Sequence, residues 1–147
     1  MRAKEKKTVN LKKGMTEKLF SAAQWSWGLP QTLLGAGLYL RHRGDRHFNY
    51  NGTRVTVWNR PSGISLGKFI FVPRKKEDVD SFVLSHEYGH ALQSLILGPA
   101  YLPLIGIPSL LWNRLPYFER KRQNTGKSYY SAVFERTANQ LAERRKK

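Results

Sequence analysis

Met15–Trp27 places apolar residues at helical spacing behind Thr16 and Glu17, and Gly28-Leu29-Pro30 closes the segment, so an amphipathic helix is predicted there. A second apolar stretch, Leu29–Leu40, ends on Arg41-His42-Arg43. It is too short for a membrane span and no small-residue cleavage site follows it, so it is read as a packed helix and not as a signal peptide. The period then changes from helical to alternating. Arg54–Asn59 alternates around Val55 and Val57, Arg60-Pro61-Ser62-Gly63 interrupts, and Ile64–Val72 alternates through Ile64, Leu66, Ile70 and Val72. That is the pattern of an antiparallel β-hairpin with one apolar face.

A charged connection, Pro73 to Glu77, leads to Asp78 or Asp80, either of which can cap the next helix. That helix should run to about Leu97, where Gly98-Pro99 stops it. Val79, Phe82, Val83, Leu84, Tyr88, Leu92 and Leu95 leave it apolar in nearly every direction, which predicts burial. Ala100–Trp112 continues without charge, but Pro103, Gly106 and Pro108 forbid one regular helix. It is expected to be a buried irregular segment or a hydrophobic flap on a bilayer surface. Over Ser128–Arg145, Tyr130, Val133, Phe134, Thr137, Ala138 and Leu141 form a helical face that can dock on the core. With no internal repeat, these elements predict one α+β domain spanning 1–147, built from helices, a small antiparallel sheet, a buried central helix and a C-terminal helix.

Composition narrows the chemistry. The chain contains no cysteine, which excludes disulfides, thiolate metal sites and a cysteine nucleophile, so any metal must be held by histidine and carboxylate. Twenty-six Lys and Arg against 10 Asp and Glu give a net charge of +16, concentrated in basic N- and C-terminal tails. Such a field attracts anionic lipid headgroups and nucleic acid alike. No nucleic-acid-reading motif and no aromatic residues interleaved with the terminal cations are present, so specific nucleic-acid recognition is not expected, and the basic ends are read either as solvated tails or as contacts to an anionic membrane surface, which charge alone does not decide. The chain is therefore read as cytoplasmic or peripherally membrane-associated. The middle is the opposite of the ends: from Ser81 to Asn113 the only Asp, Glu, Lys or Arg is Glu87.

Glu87 lies in His86-Glu87-Tyr88-Gly89-His90. Histidines at i and i+4 project from one helix face and can share a single Zn2+, while the intervening glutamate can take a proton from the water that zinc activates. A catalytic zinc needs a third protein ligand. His42 and His47 lie upstream in an Arg-rich loop, Glu119 sits among Arg120, Lys121 and Arg122, and Glu143 belongs to the tail. Glu135 is on the packed face of the predicted C-terminal helix and has to find a partner there, which makes it the leading candidate, with Glu119 next.

His86-Glu87-Tyr88-Gly89-His90 followed by Glu135-x-x-Ala138-Asn139 resembles the gluzincin metallopeptidases, in style closest to the membrane-associated branch that contains the CAAX prenyl endopeptidases. Ser85–Leu111 is also similar to small uncharacterised bacterial proteins and metallopeptidase toxin domains that share a Leu-Gly-Pro-x-Tyr-Leu run. The resemblance implies a minimal zincin-like fold in which His86, His90 and Glu135 are zinc ligands and Glu87 is the general base. Where the larger family has an aspartate that orients a zinc-binding histidine, this chain has Asn139, whose amide can still accept from Nδ1–H without adding charge. The long transmembrane helices of the prenyl endopeptidases are missing, so membrane residence is not implied.

The expected activity is zinc-dependent hydrolysis of a peptide or protein substrate. The alternatives are a metallopeptidase-type effector or toxin, or a non-catalytic membrane-surface protein with His86 and His90 in its core. Tyr129, Tyr130, Arg136 and His47 are candidate donors to a developing oxyanion by residue type. A peptide could add to the edge of the Ile64–Val72 strand, with Gly67 permitting close approach. Gly89, unfavourable inside a helix, is explained if another backbone passes close to it.

Overall fold

The computed structural model describes residues 2–75 and 79–146. It is an α+β domain in which a four-stranded sheet carries helices on both faces. The helices are α1 (Arg2–Ser26), α2 (Leu29–Arg41), α3 (Ser81–Leu97), α4 (Ile107–Arg114), α5 (Pro116–Thr125) and α6 (Val133–Lys146). The strands are β1 (Arg46–Tyr50), β2 (Thr53–Trp58), β3 (Ile64–Leu66) and β4 (Phe69–Pro73), in the order β1-β2-β4-β3.

α1 begins well before Met15. Thr16, read from the sequence as its opening residue, instead donates its hydroxyl to the Lys12 carbonyl at 2.9 Å, a bond made within a continuing helix. α2 follows Gly28 and has Pro30 in its first turn, where the missing N–H costs nothing.

The sheet departs from the expected hairpin. Gly67, at φ 61°, turns the chain within Ile64–Val72 and splits it into β3 and β4, which pair antiparallel with Ser65 opposite Ile70. β4 then lies between β3 and β2, and it runs parallel to β2, with Val55 opposite Ile70. The sheet is therefore mixed. A Cβ on Gly67 would meet Thr32 Oγ1 at 2.1 Å, so glycine serves both the turn and its seat on α2. The antiparallel hairpin on β2 is made with β1 through Asn51-Gly52, both at positive φ (47° and 87°).

Alternation sorts the sheet residues between two cores. Val55, Val57, Ile70 and Val72 face Phe20 of α1 and Tyr88 and Ala91 of α3. Trp58, Phe69 and Phe71 face Ala36, Leu38 and Tyr39 of α2. A buried polar seam fixes α3 against the first two helices. Gln24 donates to the Ala91 carbonyl at 2.9 Å and accepts from Ser94 at 3.1 Å, and Gln31 donates to Ser94 Oγ at 2.8 Å and to the Gly98 carbonyl at 3.0 Å.

Asp80 caps α3 by accepting from the Phe82 and Val83 amides at 2.9 and 3.3 Å, and Gly98 at φ 55° ends it. Asp78, the other candidate cap, lies outside the described residues. The proline-bearing segment is irregular as its sequence demands: a 3₁₀ turn at Gly98–Ala100, a π-helical turn at Leu102–Gly106, then α4. The predicted helix over Ser128–Arg145 is divided into a 3₁₀ turn, Tyr129–Ser131, and α6, because Ala132 is extended. Among the described residues no helix is long and apolar enough to cross a membrane.

Candidate metal centre

α3 presents different residues to each neighbour. Tyr88 and Ala91 enter the sheet core, and the facing side of the helix meets α6. There the two backbones nearly touch at Gly89: a Cβ at that position would lie 2.0 Å from the Ala138 carbonyl oxygen. This contact draws α6 in until the buried Glu135 carboxylate reaches His86 and His90, one turn apart on α3.

Glu135 Oε2 lies 2.9 Å from His86 Nε2 and 3.3 Å from His90 Nε2. Four ligands placed tetrahedrally about zinc at its usual bond lengths stand about 3.3 Å from one another, so this separation fits one shared ion. The atoms not turned inward are each hydrogen-bonded. His86 Nδ1 donates to Asn139 Oδ1 at 2.8 Å and His90 Nδ1 to Gln93 Oε1 at 2.7 Å. Glu135 Oε1 accepts from Tyr129 at 3.1 Å and from Ser109. With both Nδ1 atoms protonated, each imidazole turns a lone pair at Nε2 toward Oε2, the orientation that metal-binding histidines require. Gln93 is in turn held by α6, donating to the Phe134 carbonyl at 2.8 Å and to Thr137 at 2.7 Å.

The electrostatics agree with the geometry. Burial opposes ionisation of Glu135, yet the hydrogen bonds that His86 and His90 donate once Nε2 is also protonated overcome it and hold the carboxyl down to about 2. Burial likewise pulls His86 down, but Glu135, Glu87 and Asn139 together leave it above its ordinary value. The cluster attracts positive charge between Nε2 and Oε2, whether a proton or a metal cation. Among the described residues, His86, His90 and Glu135 are the one group of three His, Asp or Glu side chains whose donor atoms converge, all within 4.8 Å.

Glu87 is not one of the three converging donors. Its buried carboxylate makes no hydrogen bond to any described residue, and burial raises its pKa. It lies against the backbone of the β2–β3 connection, where a Cβ on Gly63 would be 2.4 Å from its Oε1. It also borders two cavities of about 190 Å3 each. One is walled by Leu34, Leu66, Leu102 and Leu110 and also reaches His90; the other by Pro61, Val83, Tyr130 and His86. Asn113 and Tyr129 border both.

The other sequence candidates are spread over the molecule. Glu119 and Glu143 are exposed on α5 and α6, outside the cluster. His42 pairs with Asp45 at 2.9 Å beneath Trp58 and Phe71, and His47 bonds Thr56 at 3.0 Å and stacks near Tyr39, both on the α2 side of the sheet. Tyr130 packs 4.9 Å from the His86 ring, Tyr129 is occupied by Glu135, and Arg136 is exposed. β3 is an edge strand, only three residues long, and its Ser65 carbonyl already accepts from Tyr101 at 3.3 Å. Gln93 and Ser109 were not singled out from the sequence. Gln93 could have been, three residues after His90 on the same helix face; Ser109 carries no such signal.

Compared with protein-family models, curated proteins and solved structures, the chain matches none.

Proposed function

We propose that this protein is a zinc-dependent hydrolase of peptide bonds, with His86, His90 and Glu135 as the metal ligands and Glu87 as the general base. One observation carries the reading: three buried donor atoms from two helices converge while every remaining heteroatom of those side chains is held by an outer hydrogen bond. A bound zinc ion supplies Lewis acidity, polarising a carbonyl and bringing water near neutral pKa.

The chain's own residues supply the rest. Glu87, buried and without a hydrogen bond among the described residues, has its pKa raised by burial, the direction that suits a proton shuttle. The flanking cavities give a substrate chain two places for side chains on either side of a scissile bond. Tyr130, beside the His86 ring and bordering the second cavity, is the donor of suitable type that Glu135 does not already occupy.

The test is hydrolysis of a peptide library by zinc-loaded protein against Glu87→Gln. Cleavage that disappears in Glu87→Gln while zinc content is unchanged supports the proposal. Equal cleavage by both proteins, or none by either, counts against it.

A second reading, attachment to an anionic bilayer surface, is favoured by the exposed Leu104, Ile107 and Leu111 on the π turn and α4, in a chain of net charge +16. Flotation with anionic vesicles, weakened when these three residues become serine, is its expected result.

A further inference from the structure

α4 divides two hollows. Ile107, Leu110 and Asn113 border the cavity beside Glu87, whereas Pro108, Leu111 and Trp112 border a separate cavity of about 530 Å3 closed by α5 and the start of α6. That volume is within the range of small-molecule sites, about 300–1,000 Å3. Its walls are of two kinds. The rings of Trp112, Phe118 and Phe134 form an apolar side, with Phe118 at 5.2 Å and Phe134 at 6.4 Å from Trp112. Lys121, Arg122 and Lys127 supply cations, and among the described residues no acidic one lines the space.

None of these three cations has a carboxylate partner among the described residues. Arg122 is nevertheless held in place: its guanidinium stacks 5.1 Å from the Trp112 ring centre and 5.5 Å from that of Tyr129, and it donates to the Trp112 carbonyl. A fixed guanidinium and two lysines without counter-charge, at the rim of an aromatic pit, are complementary to a molecule with an apolar body and one anionic end.

We propose that this cavity binds an anionic amphiphile, its apolar tail among Trp112, Phe118 and Phe134 and its carboxylate or phosphate group with Lys121, Arg122 and Lys127. The site is independent of the hydrolase reading, although it is structurally linked to the candidate metal centre. Trp112 Nε1 donates to the Tyr129 carbonyl at 2.9 Å, and the Tyr129 hydroxyl donates to Glu135. A ligand against Trp112 therefore touches the residue that holds Tyr129, which in turn bonds Glu135.

The experiment is calorimetric titration of the full chain with decanoate and with decyl phosphate, below their micelle concentrations, beside neutral decyl maltoside, acetate and inorganic phosphate. Saturable one-to-one binding is expected for decanoate or decyl phosphate, the tighter of the two identifying the headgroup. The neutral amphiphile and the headgroups alone should bind at least about tenfold more weakly, since each lacks half of the complementarity. Lys121→Ala with Lys127→Ala, both exposed positions, should weaken binding by about tenfold or more. Lys12→Ala with Lys13→Ala, which removes the same charge from α1, should leave it unchanged.

Equal losses in the two double variants, equal affinity for decyl maltoside, or binding that begins only with micelles would overturn the proposal. So would self-association of the chain that Phe118→Ala abolishes, which would assign the cavity to a second copy.

Discussion

The Cα of Gly89 faces the Ala138 carbonyl so closely that a methyl group there would sit 2.0 Å from the oxygen. Two helices held at this distance are what bring a carboxylate 45 positions down the chain onto a pair of histidines. In an ordinary helix interior, Gly89→Ala would stabilise by about 1 kcal/mol. Here overpacking against a backbone atom outweighs that gain, at a cost of about 1–3 kcal/mol or more. We expect Gly89→Ala to lower Tm and to weaken zinc binding together. Thermal melts and a zinc titration check this, and a variant with a higher Tm and unchanged zinc affinity would refute it.

Gln93 and Asn139 should act through the histidines they orient. Replacing either amide by leucine keeps comparable bulk and removes the acceptor for Nδ1–H, so zinc affinity is expected to fall about 10–100-fold. The two should differ in stability. Gln93→Leu also abandons the Phe134 carbonyl and Thr137, so it should be the more destabilising of the pair. Competition with a chelating dye measures the first effect and urea unfolding the second.

Gly63 is predicted to separate catalysis from metal binding. A Cβ at Gly63 would displace the Glu87 carboxylate, which it would approach to 2.4 Å, and its three nearest neighbours would all be atoms of that side chain. Gly63→Ala should therefore retain zinc and lose hydrolysis by about 100-fold, the order of loss for removing a general base. Zinc content measured beside peptide cleavage decides it, and simultaneous loss of both would show that the residue acts on the whole site.

Asp80 gives the fold a defined acid sensitivity. The hydrogen bond from Lys75 lowers its pKa most, burial opposes it, and the hydrogen bonds from the Phe82 and Val83 amides add to the lowering. A depressed carboxylate pKa adds stability that is present above its ordinary value of 3.8 and disappears as pH falls through the lower folded value. Asp80→Ala should cost about 1 kcal/mol near neutral pH, as removal of a helix cap does. The difference from the parent should shrink below pH 3.8, which urea unfolding across this range would show.

Some of this architecture was legible in the sequence and some was not, for physical reasons. α3 could be read because periodicity, an Asp cap and the Gly98-Pro99 stop agreed along its length, and the isolated Glu87 marked the stretch that mattered; α6 rested on periodicity alone, which did not show the break at Ala132. The interior of the sheet could not. Ile64–Val72 alternates across Gly67 as a single strand would, and only the turn at that glycine, seated on Thr32, reveals two strands with β4 parallel to β2. β1 alternates weakly, although Asn51-Gly52 advertises its hairpin. In the site, residues at helical spacing, His86, His90 and Gln93, share a face by geometry. Ser109 reaches Glu135 from an irregular segment whose path no local pattern specifies.

Zinc content of the purified chain beside Glu135→Ala, with Glu87→Gln as the control, tests the central claim most directly. Near-stoichiometric zinc in the parent and in Glu87→Gln, and its loss from a Glu135→Ala protein that keeps its circular dichroism spectrum, is the predicted result. Full zinc retention by Glu135→Ala, or no zinc binding by the parent, would contradict the account.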